Sequence, residues 1–570
     1  MLRPTLSLAF LPVLLAALAP PDVVAQGSKA DYERAESLAR AAREAARSPR
    51  PYRFTADGDA LWTIDPDAGP EGAMIVVDAA TGERREAEAA LEDLVDRLRK
   101  AEWNGPRRSR SGGAEVEIRF ENRLERAVDL WWLDTAGERR PYGAIEAGAT
   151  RRQRTFRNHV WLVTGRGDEE LGVYRAEEWF EMVVVDGTRT RRGERPPPPP
   201  RGASPDGRWR ASIVEHDLAV LDVASGERVR LTTEGDERTS FRGPFHWSPD
   251  GRWFVAFRER KVETREVHFV ESSPDDRVQP KLHSIPYVKP GDPLPEVTPI
   301  VVDVAARTAL AVESESMDDA WSQSRFRWAP DASRFTFVHV ERGHRVMRLL
   351  AVDPETRAVS VLIEEAPGTF VDYSNKTFVH FVEPTGEIVW MSERSGWNHL
   401  HLFDRDGAYV RPLTEGEWVV RSVLDTDDAA RTLTIEVAAI DPDQDPYHVH
   451  VARVDLDGNL TRLTEADGTH EVEWSPDGRF LLDTWSRVDH PPVTELRRGD
   501  DGSLVAVLDR ADDAPRRATG ARLPERFVAK GRDGKTDIWG VIHRPSNFDA
   551  NRTYPVIEKI YAGPHGQHVP

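Results

Sequence analysis

Histidine pairs, a tyrosine at a strand end and adjacent carboxylates are the side chains whose spacing could do chemistry in this sequence. Two His-x-His pairs, His399/His401 and His448/His450, each set two rings on one face of an extended strand. A metal site needs a third and usually a fourth ligand within reach. None is nominated, so the four rings are expected on strand surfaces, with no metal and no cofactor. The run Ile560-Tyr561-Ala562-Gly563-Pro564 carries an apolar strand into a turn. It places a phenol at a strand end, where α/β proteins hold their sites; on pattern alone an ordinary strand-to-turn aromatic is the preferred explanation. Adjacent acids occur at Glu177-Glu178. No Gly-x-Ser-x-Gly elbow, P-loop or His-Glu-x-x-His is present.

The elements that would hold such residues announce themselves through a repeated turn. Trp247-Ser248-Pro249-Asp250-Gly251 suits a type I turn, with Pro fixing φ and Gly relieving the last position. The strand-like Trp253-Phe254-Val255-Ala256-Phe257 follows it. Trp474 to Gly478 before Phe480, Trp328 to Asp331 before Phe335, and Ser204 to Gly207 before Trp209 repeat the unit. Starts near 204, 248, 329, 374 and 475 lie about 45 residues apart, or about twice that. Leu-Thr-Thr-Glu or Leu-Thr-Glu phrases at 231–234, 413–415 and 463–465 close the units. Such a period with four short strands per unit predicts a β-propeller of about seven or eight blades.

Length and charge set the outer limits. At 570 residues the chain exceeds one ordinary core. A net charge of -20 argues against nucleic acid as a partner, and the absence of cysteine excludes disulfides and thiolate metal sites. Arg3, the apolar run Leu6 to Ala19 and Val23-Val24-Ala25 read as a signal peptide spanning 1–25. The protein is therefore expected to be exported, periplasmic or secreted, with no membrane association beyond that segment.

In chain order, 26–103 should hold a helix over Lys29 to Ser48, strands over Tyr52 to Glu83 and a second helix through Ala87, Leu91, Leu94 and Leu98. A Gly/Arg/Ser linker covers 104–113, and a Trp-rich strand module covers 113–188. The segment 189–203, with five consecutive prolines at 196–200, is a stiff spacer. The propeller proper is expected over 204–523. Over 524–570, Phe527 to Ala529 and Ile538 to Ile542 read as a hairpin and Tyr554 to Ile557 as a buried strand opening a further domain.

Residues 204–570 resemble the prolyl oligopeptidase family of serine peptidases, in particular its dipeptidyl peptidase IV branch. The resemblance is carried by Met391 to Leu400 (Met-Ser-Glu-Arg-Ser-Gly-Trp-Asn-His-Leu), Thr484 to Arg487, Arg544 to Phe548, Tyr554 to Ile557 and Tyr561 to Pro564. It implies a propeller capping an α/β-hydrolase domain, with peptides reaching an active site between them. It makes Tyr561 the residue whose hydroxyl helps form the oxyanion hole. A positioned donor of this kind is worth roughly 3 to 4 kcal/mol to a developing oxyanion. The family's Ser, Asp and His of the triad lie downstream of this motif, so the chain as given is expected to be a fragment of a longer reading frame. The branch also holds the substrate amine with a Glu-Glu pair, and the corresponding stretch Gly235 to Arg242 has none.

Residues 115–171 resemble the β-domain of the von Hippel–Lindau family. Phe120-Glu121-Asn122-Arg123, Trp132-Leu133, Pro141-Tyr142, Arg151-Arg152 and Phe156 to Leu162 match without gaps from Asn122 through Trp161. The resemblance implies a hydroxyproline-peptide pocket lined by Trp132, Tyr142, Thr155, His159 and Trp161. Aromatic walls suit a pyrrolidine ring, while Thr155 and His159 could bond its hydroxyl. A sandwich whose aromatics serve only as core is the other reading.

The sequence thus predicts a mainly β chain: a seven- or eight-bladed β-propeller, an inserted small β-sandwich, and the truncated start of an α/β-hydrolase domain. The function expected is an exported serine peptidase acting on short peptides, some containing proline. The alternative is a non-catalytic propeller that binds peptides or proteins. A homodimer stays open.

Overall fold

The computed structural model describes residues 29–45, 50–86, 107–187 and 200–560, apart from 51, 56–57, 66–72, 111–114, 166, 168 and 178–179. Tyr561, the expected signal peptide, the helix expected through Ala87 to Leu98 and the prolines 196–199 lie outside those residues.

The molecule is a β-propeller interrupted by a sandwich. Seven sheets among the described residues carry the repeat, six of them built from four antiparallel strands, one of these interrupted by the hairpin of Glu266–Glu271 with Lys281–Pro286, and the sheet over 209–230 from three. Each sheet buries one face against the next. Phe254 and Val302 share a core with Leu218 and Val220, Val255 and Val301 with Phe335 and Phe337, and Val389 and Leu400 with Ile435 and Val437. The N-terminal sheet packs through Leu61 and Val77 onto Phe480 and Leu496 of the last one. Tyr52 Oη there donates to the Leu508 carbonyl at 3.0 Å.

The repeated turn has the chemistry its sequence promised. Gly251 N–H closes on the Ser248 carbonyl at 3.0 Å with Gly251 at φ 70°. Ser248 Oγ donates to Asp250 Oδ1 at 2.6 Å and accepts from Trp253 N at 2.9 Å. The preceding Trp is a tie between sheets: Trp247 Nε1 donates to the Gly202 carbonyl at 3.0 Å and Trp328 Nε1 to the His246 carbonyl at 2.9 Å. The threonines of the closing phrases have one job in three sheets. Their hydroxyls accept Leu218 N at 3.0 Å, Leu400 N at 3.0 Å and Val451 N at 2.9 Å, satisfying buried amides that would otherwise be orphaned.

Three expectations are corrected. The unit start expected near 374 falls in a loop; the first turn of that sheet is Glu383-Pro384-Thr385-Gly386, between strands Val379–Phe381 and Ile388–Ser392. Turn composition misled there, because Ser-Asn-Lys suits a loop as well as a blade turn. The hairpin Glu525–Lys530 with Asp537–Ile542 forms, but the buried strand at Tyr554 to Ile557 does not. Val556 and Ile557 are 89% and 94% exposed, since among the described residues no strand pairs with them. The four His-x-His rings are buried rather than on strand surfaces: His399, His401, His448 and His450 are at most 4% exposed.

Because strands alternate direction, the Ser-Pro-Asp turns share one rim. Connections from second to third strands, and from each fourth strand to the next sheet, share the opposite rim. The hairpin at 525–542 follows the fourth strand of the last sheet, so it starts from that opposite rim. Arg526 ties it there, 3.3 Å from Asp489 within a network that includes Arg487 and Asp467.

Candidate functional site

The inserted module brings all five expected pocket residues together. Its two sheets have strand orders that leave Arg139–Ile145 and Thr150–Phe156 as free edges, and Phe120, Leu130, Trp161 and Val183 fill the space between them. Trp161 Nε1 donates to Thr155 Oγ1 at 3.2 Å, and Thr155 Oγ1 lies 3.1 Å from His159 Nδ1. Thr155 Oγ1 accepts the indole N–H; in the tautomer in which it donates to Nδ1, His159 keeps Nε2–H as a donor. Burial pushes the His159 pKa down, consistent with the neutral ring. Asn158, at φ 71°, turns the chain so that the ring faces back.

Around this relay, Tyr142 meets Trp161 edge to face at 4.8 Å, and Trp132 lies 5.0 Å from the His159 ring. The buried Trp132 Nε1 finds no acceptor in the protein. Trp161 is core at 1% exposure, whereas Tyr142 is open at 40%. The arrangement offers aromatic walls and, on His159, a polar ring nitrogen to a ligand. One residue of this module had not been singled out. Ser109, assigned to a linker, is buried and accepts Val160 N at 2.9 Å. Phe156 packs on His159 at 5.4 Å.

A second candidate lies on the propeller. A cavity of about 720 Å³ opens between two adjacent sheets and is lined by Glu364, Glu365, Phe370, Met391, Glu393 and Arg394, among others. Its walls are the loop that follows the fourth strand of one sheet and the turn between the second and third strands of the next. Both belong to the rim from which the 525–542 hairpin starts. Glu365, 9% exposed, accepts Trp390 Nε1 at 3.0 Å on Oε1, and Arg394 binds the same oxygen. Arg394 is itself held by Ser392 Oγ at 3.0 Å and lies 5.0 Å over the Phe403 ring. Lys376 donates to Glu393 Oε1 at 2.8 Å.

The buried histidines are core residues, His399 and His450 hydrogen-bonded and His401 with neither ring nitrogen paired. His399 Nε2–H donates to the Gly416 carbonyl at 3.0 Å, and its Nδ1 meets Thr414 Oγ1 at 2.9 Å. Burial drives the pKa of His401 down to about 4 and that of His450 to about 3. No group of three or more His, Cys, Asp or Glu able to hold a metal occurs among the described residues. Of the Glu177-Glu178 pair, Glu177 is taken by Arg175 at 3.0 Å and Glu178 lies outside the described residues.

The model of the dipeptidyl peptidase IV N-terminal region matches residues 200–492, just over half of the chain. The chain belongs to that family. Within this dipeptidyl peptidase IV-type chain, a von Hippel–Lindau β-domain model matches residues 107–187. A probable dipeptidyl-aminopeptidase B of Tuber melanosporum is 26% identical over 349 residues, covering 57% of this chain and 38% of that protein. Its counterpart in Penicillium rubens is 24% identical over 398 residues, 63% of this chain and 43% of that one. The chain therefore spans about two fifths of the length of these curated relatives. Among solved structures, Porphyromonas gingivalis dipeptidyl peptidase 4 superposes with a TM-score of 0.49 at 18% identity, covering 90% of this chain and 67% of that one. A putative dipeptidyl aminopeptidase IV from Bacteroides ovatus gives 0.48 at 16%, covering 89% and 66%.

Proposed function

We propose that this chain is the propeller-bearing part of an exported serine peptidase that releases short fragments from peptides, including proline-containing ones. The observation that carries the reading is the coincidence of the family match with a peptide-sized cavity on the rim where the 525–542 hairpin begins. The propeller limits access to short or unfolded chains. Tyr561 contributes a phenolic hydroxyl to the oxyanion hole, and the nucleophile is supplied by the remainder of the hydrolase domain. The inserted module holds proline- or hydroxyproline-containing segments between Trp132, Tyr142 and Trp161, with His159 Nε2–H donating to the hydroxyl oxygen of a hydroxyproline. Support for that role comes from the convergence of the five side chains and the unpaired Trp132 N–H.

A fluorophosphonate probe, which labels activated serines covalently, tests the enzymatic reading on the full-length gene product. Stoichiometric labelling within the hydrolase domain is expected. A folded protein that takes up no probe would leave a non-catalytic peptide-binding propeller as the better account.

A further inference from the structure

Among the described residues, the ion pairs between the hairpin at 525–542 and the last sheet run through Arg526. Its Nε donates to Asp489 Oδ2 at 3.3 Å, and its Nη2 stands 3.9 Å from Asp467 Oδ2. Both acids are already engaged by a second cation. Arg487 Nε donates to Asp489 Oδ1 at 2.6 Å, and its Nη1 binds Asp467 Oδ2 and the Asp467 carbonyl, the latter at 3.2 Å. Arg487 belongs to the sheet and holds the closer contacts. Arg526 comes from the hairpin and holds the longer ones.

A titratable ring completes the group. His448, 4% exposed, stands just before strand Val449–Asp455, with Nδ1 3.0 Å from Asp467 Oδ1. Both atoms are buried, and neither has a hydrogen-bond partner. The charged groups facing the ring come from each neighbouring element: Asp445 in its own loop, Asp467 in the loop before strand Thr469–Trp474, Arg487 at the end of strand Phe480–Arg487, and Arg526 in the hairpin. His450, on the same strand, bonds Gln444 Oε1 at 2.9 Å and stays neutral through burial. His490, across the turn from Arg487, stacks on Trp485 at 4.8 Å. Burial holds the His448 pKa below the ordinary value; Asp445 and Asp467 favour the second proton, and Arg526 and Arg487 oppose it.

Linkage of this kind is reciprocal. A docked Arg526 disfavours a proton on His448, so a proton on His448 disfavours a docked Arg526 by the same factor. The charged ring also draws on Asp467, one of the two acids that hold the hairpin. The sign follows from the direction of the shift. With a docked-state pKa below the ordinary value near 6.5, the hold is complete above about pH 6.5 and weakens as pH falls.

We propose that His448 is an acid-operated release for the hairpin: on taking a second proton it claims the Asp467 carboxylate and repels Arg526, and the hairpin lets go of the last sheet. The device goes beyond the peptidase reading and holds whatever reaction the segment after the propeller serves.

Hydrogen–deuterium exchange of the full chain at about pH 7.5 and about pH 5, corrected for intrinsic exchange rates, tests it. A lone two-stranded hairpin is barely stable in water, so release appears as lost protection over 525–542. Protection there is expected to fall roughly fivefold or more between the two conditions, while strand Val449–Asp455 keeps its own. His448→Gln should abolish the fall, and His490→Gln should leave it intact. Arg526→Gln should leave the hairpin weakly protected at both pH values. In a histidine NMR titration the same variant should also raise the pH at which His448 takes its proton. Equal hairpin protection at both pH values in the wild-type chain would overturn the proposal. A fall that survives in His448→Gln, or an unmoved His448 titration in Arg526→Gln, would overturn it as well. The wild-type and Arg526→Gln measurements leave the buried ring untouched, so they decide the matter even if His448→Gln fails to fold.

Discussion

Replacing the closing threonines by valine removes a hydroxyl with little change of shape, and the structure predicts a graded cost. In Thr464→Val the only group left bare is the buried Val451 amide, which now bonds Thr464 Oγ1 at 2.9 Å. Thr414 has two duties: its oxygen accepts Leu400 N at 3.0 Å, and its proton goes to His399 Nδ1 at 2.9 Å. The direction of the second bond is fixed because His399 Nε2 must donate to the Gly416 carbonyl. Each orphaned buried group costs about 1–3 kcal/mol. Thr464→Val should therefore destabilise by about 1–3 kcal/mol and Thr414→Val by about 2–6 kcal/mol. Hydrogen exchange of the Val451 and Leu400 amides, with urea unfolding of the full chain, reads both. Equal, small losses in the two variants would refute the claim that these hydroxyls replace sheet hydrogen bonds.

Other outcomes follow from the same geometry. Ala332 occupies the glycine position of its turn at φ 58°, so Ala332→Gly should stabilise by about 0.5–1 kcal/mol, measurable as a higher unfolding midpoint. His401 and His450 have folded pKa values of about 4 and about 3, below the unfolded value near 6.5. The unfolded chain then binds more protons as pH falls, so stability present above about pH 6.5 is lost progressively down to about pH 4 for His401 and about pH 3 for His450. His401→Leu should flatten that slope in a series of thermal melts. In the module, Thr155→Val should strand the Trp161 N–H and free the His159 tautomer, weakening hydroxyproline-peptide binding by the full chain roughly tenfold in a titration. An unchanged affinity would reduce those aromatics to core.

The blades were legible because a Ser-Pro-Asp-Gly turn is local chemistry, written within five residues and repeated. The convergence of the module's five side chains was legible for a different reason: they sit at fixed strand spacings that a matching sequence preserves. The Glu364-Glu365 wall was not legible. Two acids at a strand end look solvated, and only the convergence of Trp390 and Arg394 from the next sheet buries one of them. The His-x-His rings were misplaced for the same reason. Alternation told which face they share but not that the neighbouring sheets would cover it, with Trp418 packed against His399 at 4.8 Å. The exposed Val556 and Ile557 mark the limit of apolar pattern as evidence of a strand, since a strand also needs a partner.

The central claim is that this propeller serves a peptidase. Its most direct test is fluorogenic dipeptide release by the full-length gene product from Xaa-Pro substrates with a free amine. Turnover that disappears when the amine is acetylated is the predicted result. A folded full-length protein that cleaves neither the free nor the blocked substrate would contradict the account.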